Sequence, residues 1–308
     1  MLFSKDPRRY WFSCLVVLAI AMTLILLFKK QDLSPYYEGF TQTTSYVFKE
    51  NVDAQDQFYA EIYDQLQNPE ERNNYILDKT VEMTQPDKFS NFLEIGSKTG
   101  SFLKLLHDQG FRAEGLEPSQ AMINYSKQDK PELQIKCGSM KEPLTYEKGS
   151  FTHVISNGLT FYELKNKKIF FENAFFWLKP GGYLIIHLVN PEHFDTIIPG
   201  GKPPLLRSPQ KYAPKRLTDT LIDFIDFTYK ASFDFSNWNT SKEVKLKETF
   251  TDGLTQNIRQ NEFQYTMESV SDVLKMASYH GFIVQGQVNL EQCTGDPNQY
   301  LVILERPQ

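Results

Sequence analysis

Residues 91–105 read NFLEIGSKTGSFLKL. A short apolar run ends in an acid, Glu94; two glycines follow four positions apart, and a helical pattern begins. A carboxylate at the end of a buried strand is costly unless a partner satisfies it. Glycine permits positive φ and close approach of a ligand to the backbone, and the start of the following helix offers N–H groups to an anion. The stretch therefore predicts a strand–turn–helix unit whose turn binds a small molecule with cationic or hydroxyl groups and an anionic end.

Strands and helices alternate after this unit, which indicates a parallel sheet covered by helices on both faces. Two helices over residues 54–84 precede the first strand. The predicted strands are 91–95, 112–116, 133–137, 151–157 and 182–189, and the helices between them are 99–108, 119–128 and 164–178. After a long interruption come a helix at 268–280, capped by Gly281, then the segment FIVQGQV at 282–288 and a final strand QYLVILE at 299–305.

The interruption, residues 191–267, begins at Asn190-Pro191 with Pro- and Gly-rich turns and continues with period-two stretches, which favour antiparallel strands. It enters after the fifth strand, at the carboxyl edge of the sheet, where it would form a lid and a substrate sieve. Its aromatic residues could line the site, or pack on one another as alternate positions of a small sheet do. They are Phe224, Phe227, Tyr229, Phe233, Phe235, Trp238, Phe263 and Tyr265.

A second acid, Glu117, ends the second strand 21 residues beyond Gly96. An acid at this place accepts hydrogen bonds from ribose hydroxyls. The spacing suits both S-adenosylmethionine (SAM), which also carries a carboxylate and an ammonium, and NAD. The NAD fingerprint requires glycines where this chain has Lys98 and Ser101, so SAM is favoured and an NAD-dependent oxidoreductase is the weaker alternative.

With these motifs the chain resembles the class I, seven-strand SAM-dependent methyltransferases, particularly the small-molecule branch. Glu94 to Gly100 matches the acid–glycine turn, Glu117 the ribose acid, and LKPGGYLII at 178–186 the entry to strand five. The resemblance implies a Rossmann-like α/β sheet of seven strands with SAM as cofactor. The chain departs from the family's pattern at Lys98, which replaces the middle glycine, and at Ser139, where the family usually has an acid that contacts adenine. The implied cofactor-binding residues are Glu94, Gly96, Ser97, Lys98, Gly100, Glu117, Pro118, Ser139, Met140 and Asn157.

Methyl transfer needs alignment and desolvation, and it needs a general base only if the nucleophile must lose a proton. The candidates at the mouth of the site are Tyr162 and His193, with Asn157 and Glu163 beside them. Each has a structural alternative: Tyr162 as a packing aromatic, Glu163 as a first-turn acid and His193 as a surface loop residue. The three cysteines form neither a disulfide framework nor a metal-binding pattern, and no metal is expected.

Residues 11–28, WFSCLVVLAIAMTLILLF, carry no charge and would span ~27 Å as a helix, close to the hydrocarbon thickness of a bilayer. Lys29 and Lys30 follow directly, which favours an uncleaved single-pass anchor over a signal peptide. We expect an anchor at 1–30, a linker at 31–53 and a methyltransferase domain at 54–308 with its lid insertion at 191–267.

Without the anchor and its flanking charges the chain keeps 28 basic and 37 acidic residues, a net charge of −9. Such a surface repels nucleic acid. The basic residues that flank the span slightly favour a cytosolic N-terminus, which would place the domain across the membrane. SAM, however, is made in the cytosol, and the glycosylation triplets at Asn124 and Asn239 also agree better with a cytosolic domain. The sequence predicts a membrane-anchored SAM-dependent methyltransferase for a small-molecule or lipid-like acceptor; a tethered SAM-fold binding protein without turnover is the alternative.

Overall fold

The computed structural model describes residues 14–20, 22–23, 42–202 and 208–308. The chain divides into two compact units, residues 1–41 and residues 42–308. In the first unit, residues 14–20 and 22–23 are helical; the other half of the predicted span 11–28, and residues 31–41 of the predicted linker, lie outside the described residues. Within the described ranges, no helix combines the length and the apolar character needed to cross a bilayer.

The second unit contains the predicted seven-stranded sheet, in the order β11-β12-β6-β5-β2-β3-β4. Strands β2 to β6 are parallel, and β12 pairs antiparallel with both β6 and β11. These strands are β2 (Asn91–Ile95), β3 (Arg112–Glu117), β4 (Gln134–Cys137), β5 (Phe151–Ser156), β6 (Leu178–Val189), β11 (Ile283–Asn289) and β12 (Gln299–Glu305).

The helices around this sheet begin where the sequence offers capping side chains. Ser119 accepts from the backbone N–H of Met122 at the start of α5, and Ser269 accepts from Asp272 at the start of α8. Gly281, at φ +89°, follows α8 as predicted. The helices are α1 (Asn51–Ala54), α2 (Gln57–Gln67), α3 (Glu70–Thr84), α4 (Ser101–Asp108), α5 (Gln120–Asp129), α6 (Lys167–Trp177), α7 (Trp238–Ser241), α8 (Val270–Tyr279) and α9 (Glu291–Thr294).

One face of the large sheet packs against α3 and α4. Ile76 and Leu77 of α3 and Phe102 of α4 meet Ile155 and Ile185 of the central strands, all of them buried. This layer is apolar along the strands and becomes polar at their carboxyl ends, where Glu94 and Glu117 lie. The fold therefore collects the predicted polar residues at one edge of a rigid sheet.

A second sheet of five strands, in the order β1-β10-β9-β8-β7, takes four of its strands from the insertion. The inward and outward alternation along β8 and β9 confirms the predicted period of two. Its strands are β1 (Tyr46–Glu50), β7 (Asp219–Asp223), β8 (Phe227–Asp234), β9 (Glu243–Asp252) and β10 (Ile258–Thr266).

Strand β1 corrects the predicted linker at 31–53. Residues 46–50 add a parallel strand to β10, and residues 51–54 form α1. Arg259 of β10 holds the turn after α1 with bonds of 2.9 and 3.0 Å to the carboxylate of Asp56 and 3.0 Å to the carbonyl of Ala54. The polar and aromatic composition of residues 46–50 is that of an edge strand, half of it exposed.

Candidate active site

The turn between β2 and α4 requires its two glycines. Gly96 has φ +70° and Gly100 has φ +74°. A Cβ atom on Gly96 would lie 2.4 Å from Cγ2 of Thr160, so a larger residue would strain the backbone and clash as well. The Gly96 N–H donates to the carbonyl of Leu116 at 2.7 Å, which joins the turn to β3.

Glu117 lies beside this turn, as the sequence predicts. Its side chain is fully buried, and its two oxygens accept backbone N–H groups from Ser119 at 2.9 Å and from Lys98 at 3.0 Å. The carboxyl group is thereby fixed between the turn of the first βα unit and the turn of the second. A fixed carboxylate at this edge is suited to bind vicinal hydroxyls.

Several buried polar atoms at the same edge have no hydrogen-bond partner among the described residues. They include Oε2 of Glu94, Oγ of Ser97 and Oγ of Ser156. Burial, and then the charge of Glu117, raises the pKa of Glu94 well above its usual value. Native proteins rarely leave such groups unpaired unless a ligand or water satisfies them, so this edge of the sheet has the character of a binding site.

Lys98 does not project into solvent. Its ammonium donates to Gln55 and Glu163 at 3.2 Å each and lies 4.0 Å from Oε2 of Glu117. Burial alone would lower the pKa of Lys98, but the charges of Glu117 and Glu163 raise it above its usual value. The residue that replaces the middle glycine therefore places a cation inside the cleft.

A first cavity of about 110 Å³ opens over the carboxyl ends of the strands. Part of its wall comes from the insertion, which contributes Phe233 and Phe263, and part from α2. The remaining predicted lid aromatics mostly pack on one another; Phe227 and Tyr229, for example, contact Phe250. The aromatic residues of the first cavity are Tyr59, Tyr63, Phe194, Phe233, Phe263 and Tyr265.

A second cavity, of about 600 Å³, shares Gln55 and Glu163 with the first, and Pro118 and Ser139 also line it. Met140 is buried beside them, and its carbonyl accepts from Asn173 at 2.7 Å. Asn157, at the end of β5, does not line either cavity; its side chain donates to Asn73 at 2.8 Å. Of these predicted cofactor residues, the structure brings Pro118 and Ser139 to the cleft.

Arg72 and His187 line the first cavity and were missed from the sequence. Arg72 is half-buried, its Nε has no partner among the described residues, and burial lowers its pKa. His187 is buried at 2 % exposure in β6, and Nδ1 of its ring is equally unpartnered. The only signal was a lone histidine in the apolar run LIIHLV; Arg72 sits in an ordinary helical pattern that gives no signal.

Hydrogen bonds fix the tautomer of His187. The amide nitrogen of Gln299 donates to Asp296 at 3.0 Å, so the amide oxygen of Gln299 faces the imidazole Nε2, also at 3.0 Å. Nε2 therefore carries the proton and Nδ1 holds a free lone pair. Burial, and then the charge of Arg72, lowers the pKa of His187 to about 3, so the ring is neutral at physiological pH.

The two predicted catalytic residues are corrected by the structure. Tyr162 is fully buried, and its hydroxyl accepts from the N–H of Val189 at 2.9 Å and donates to the carbonyl of the same residue at 3.2 Å. It is a core residue that holds the end of β6. His193 lies on the surface beside Glu192 with 65 % of its side chain exposed, and it lines neither cavity. Glu163, in contrast, lines both.

The arrangement supplies binding groups without a nucleophile of its own. Lys98 of the glycine turn, Arg72 and His187 line the first cavity, and Glu117 is buried beside the turn with its carboxylate bonded to the N–H of Lys98. Among the residues that the structure describes, no group of His, Cys, Asp and Glu side chains is placed to hold a metal ion. Such a site is suited to align two small molecules with one another.

Comparison with known proteins agrees with this geometry. A family model described as "Methyltransferase domain" matches residues 69–225, about half of the chain. No curated protein sequence matches.

Solved structures share the fold at low identity. A SAM-dependent methyltransferase from Clostridium acetobutylicum ATCC 824 has a TM-score of 0.61 and 15% identity, over 82% of this chain and 98% of that one. The CcbJ methyltransferase from Streptomyces caelestis has a TM-score of 0.61 and 13% identity, over 82% and 99%. The SAM-bound amino pentose methyltransferase CalS10 from Micromonospora echinaspora has a TM-score of 0.56 and 16% identity, over 81% and 97%.

Proposed function

The chain belongs to the methyltransferase-domain family, as a class I enzyme that depends on SAM, and we propose that it methylates a small molecule held in the first cavity. The observation that carries this proposal is the set of buried polar groups around the glycine turn to which no described residue is hydrogen-bonded. Small-molecule methyltransferases such as CalS10 share the fold, which supports this class of acceptor.

The residues of the cleft fit SAM. Glu117 would hold the ribose hydroxyls, Arg72 the carboxylate of the methionine end, and Glu94 the ammonium through Oε2, which has no partner among the described residues. Ser139 and Pro118 border the space for the base. When bound, SAM supplies a methyl group already activated on a sulfonium, so the task of the chain is to align the acceptor and exclude water.

His187 is the group that would orient the acceptor. Its free Nδ1 lone pair accepts a hydrogen bond from an N–H or O–H group, and Gln299 and Asp296 hold the ring in place behind it. With a pKa of about 3 it accepts a hydrogen bond but does not retain a proton. This favours an acceptor whose attacking atom carries a lone pair and a remaining hydrogen, as neutral amines and hydroxyls do.

Titration calorimetry on the purified full-length protein with SAM, S-adenosylhomocysteine and NAD tests this function. We expect saturable binding of the two adenosyl ligands and none of NAD. Glu117→Gln should weaken that binding about tenfold or more, because it removes a charged acceptor of ribose bonds worth roughly 1.5–3 kcal/mol each. Glu114→Gln, three residues earlier on β3, is the matched control. Equal affinities for the two variants would remove Glu117 from the site.

Lys98 favours a second candidate, a SAM-fold binding protein without turnover, because its ammonium lies in the cleft. Radiolabelled methyl transfer from SAM to a metabolite extract separates the two. Labelled product shows an enzyme; tight SAM binding with no labelled product from any extract supports the binding protein.

We further propose that residues 11–28 anchor the enzyme in a membrane with its domain in the cytosol. The uncharged run supports the anchor, and in its described part Leu15, Leu18 and Met22 expose more than half of their surface. Release of the full-length protein from membranes by alkaline carbonate would contradict the anchor.

The orientation has its own test. Asn124 and Asn239 are exposed, so a lumenal domain would present both to glycosylation. We expect neither to carry a glycan, and protease to digest the domain of sealed vesicles.

A further inference from the structure

Lys98 has the surroundings of a built site. It stands at φ +50° between the two glycines of the turn, and 7 % of its side chain is exposed. Its ammonium is held by the amide oxygen of Gln55 at 3.2 Å and by the carboxylate of Glu163, whose oxygens lie 3.1 and 3.2 Å away. The ammonium is buried and bonded to Gln55, which follows α1, and to Glu163, which follows β5, so it is fixed in place.

The same contacts divide the cleft. Gln55 and Glu163 line the first and the second cavity alike, and these two residues hold the ammonium of Lys98, which lines the first cavity. Pro118 and Ser139 border only the second cavity, whereas Arg72 borders only the first. A ligand that reaches from Arg72 to Pro118 therefore passes Gln55 and Glu163, where the Lys98 ammonium is bound. The first cavity alone, at about 110 Å³, is smaller than the roughly 300–1,000 Å³ of ordinary ligand pockets.

The ammonium also approaches the acid that a ribose requires. Oε2 of Glu117 lies 4.0 Å from Nζ of Lys98, and each carboxylate oxygen already accepts one backbone N–H group, Oε2 from Lys98 and Oε1 from Ser119. A hydroxyl that hydrogen-bonds to Oε2 would be a second donor on an oxygen that the ammonium already approaches. Lysine and ribose are competitors for the same carboxylate.

We propose that Lys98 determines affinity for the methyl donor: its side chain closes the cleft, and it must leave Glu163 and Gln55 before a ligand with a ribose can span the two cavities. This inference rests on the proposed function. Detaching the ammonium breaks hydrogen bonds to a charged group, which are strong enough to reduce affinity by about ten- to hundredfold. Without the Lys98 side chain the site would therefore bind the methyl donor more tightly than the wild-type protein does.

The test is titration of the full-length protein with SAM and with S-adenosylhomocysteine. Lys98→Gly removes the side chain and suits φ +50°; we expect both ligands to bind at least about tenfold more tightly than to the wild type. Glu163→Gln loosens the same contact from the other side and should raise affinity by a smaller factor. Lys242→Gly is the matched control, since Lys242 also has positive φ, +59°, and lines neither cavity. It should leave affinity unchanged.

Each outcome is decisive. Binding by Lys98→Gly with none by the wild type supports the competition. Equal or weaker binding by Lys98→Gly overturns it, because Lys98 would then be neutral or a direct contact of the donor. Tighter binding of SAM alone also overturns it. Only SAM carries the sulfonium charge, so that result would show that Lys98 repels this charge and does not compete with the ribose. No binding to any folded variant refutes the proposed function itself.

Discussion

Glu248→Gln should stabilise the protein at alkaline pH and not at acidic pH. Glu248 is fully buried in β9, where Tyr229 donates to Oε1 at 2.7 Å and Tyr59, a wall residue of the first cavity, donates to it at 3.1 Å. Asn261 reaches Oε2 at 3.5 Å. These bonds only partly offset the loss of water, so burial raises the pKa of Glu248 from 4.5 to about 7.

A pKa that is higher in the folded state makes the carboxyl group bind its proton more tightly when folded. The associated stability is present below the unfolded pKa of 4.5 and is lost as the pH rises through about 7. At about 1.4 kcal/mol per unit, the shift is worth roughly 3 kcal/mol, of which about 2.5 kcal/mol falls between pH 5 and pH 8. Glutamine keeps an oxygen for both tyrosine hydroxyls and does not titrate, so its own effect is constant with pH.

Denaturant unfolding at pH 5, 6, 7 and 8 measures the difference in unfolding free energy between Glu248→Gln and the wild type. We expect this difference to grow by about 2.5 kcal/mol in favour of glutamine from pH 5 to pH 8. Glu243→Gln, on the same strand with 39% of its side chain exposed, is the control and should give a flat difference. A flat difference for Glu248→Gln as well would refute the argument that burial governs this carboxyl group.

Gly96→Ala should cost roughly 1–3 kcal/mol more unfolding free energy than Gly158→Ala, because both positions have positive φ but only a Cβ on Gly96 meets Thr160, at 2.4 Å; equal losses in denaturant unfolding would contradict this. Tyr162→Phe should cost about 1–3 kcal/mol by leaving the N–H of Val189 unpaired while folded protein keeps its methyl-transfer rate, and a large fall in rate at native stability would restore Tyr162 as a catalytic residue. Arg72→Gln should weaken binding of SAM and S-adenosylhomocysteine about tenfold in calorimetry, because a charged hydrogen bond is lost. Binding of 5′-methylthioadenosine, which lacks the amino-acid end, should not change. An equal loss of affinity for all three ligands would show that Arg72 acts through the fold.

The large sheet and its glycine turn were predictable because their signals are local. An apolar run, a turn that needs glycine and a helix N-terminus occupy adjacent residues, so the segment from Asn91 to Asp108 folds as its pattern indicates. The position of Glu117 followed from the same logic, one βα unit later. These predictions depend on no contact distant in the chain.

The parts that the sequence did not reveal depend on distant partners. Strand β1 exists because Tyr46 meets Ile258 on another strand, and nothing near residue 46 records that pairing. The orientation of Lys98 depends on Gln55 and Glu163. Tyr162 has a polar hydroxyl at the expected place in the chain, but the backbone of Val189 takes it. Residue type and position suggested a catalytic role there, and only the tertiary contacts exclude it.

The order of strands in the two sheets also determines the order in which the protein can fold. Strand β12 is the last in the chain, yet it lies inside the large sheet between β6 and β11, and β1, the first strand, has no partner until β10 has been synthesised. Pairings between such distant segments form slowly, and the unpaired edges of β6 and β1 stay open to other chains in the meantime. The glycine turn is complete early in synthesis, whereas the five-stranded sheet, which contributes Phe233 and Phe263 to the first cavity, is complete only after β10 has emerged.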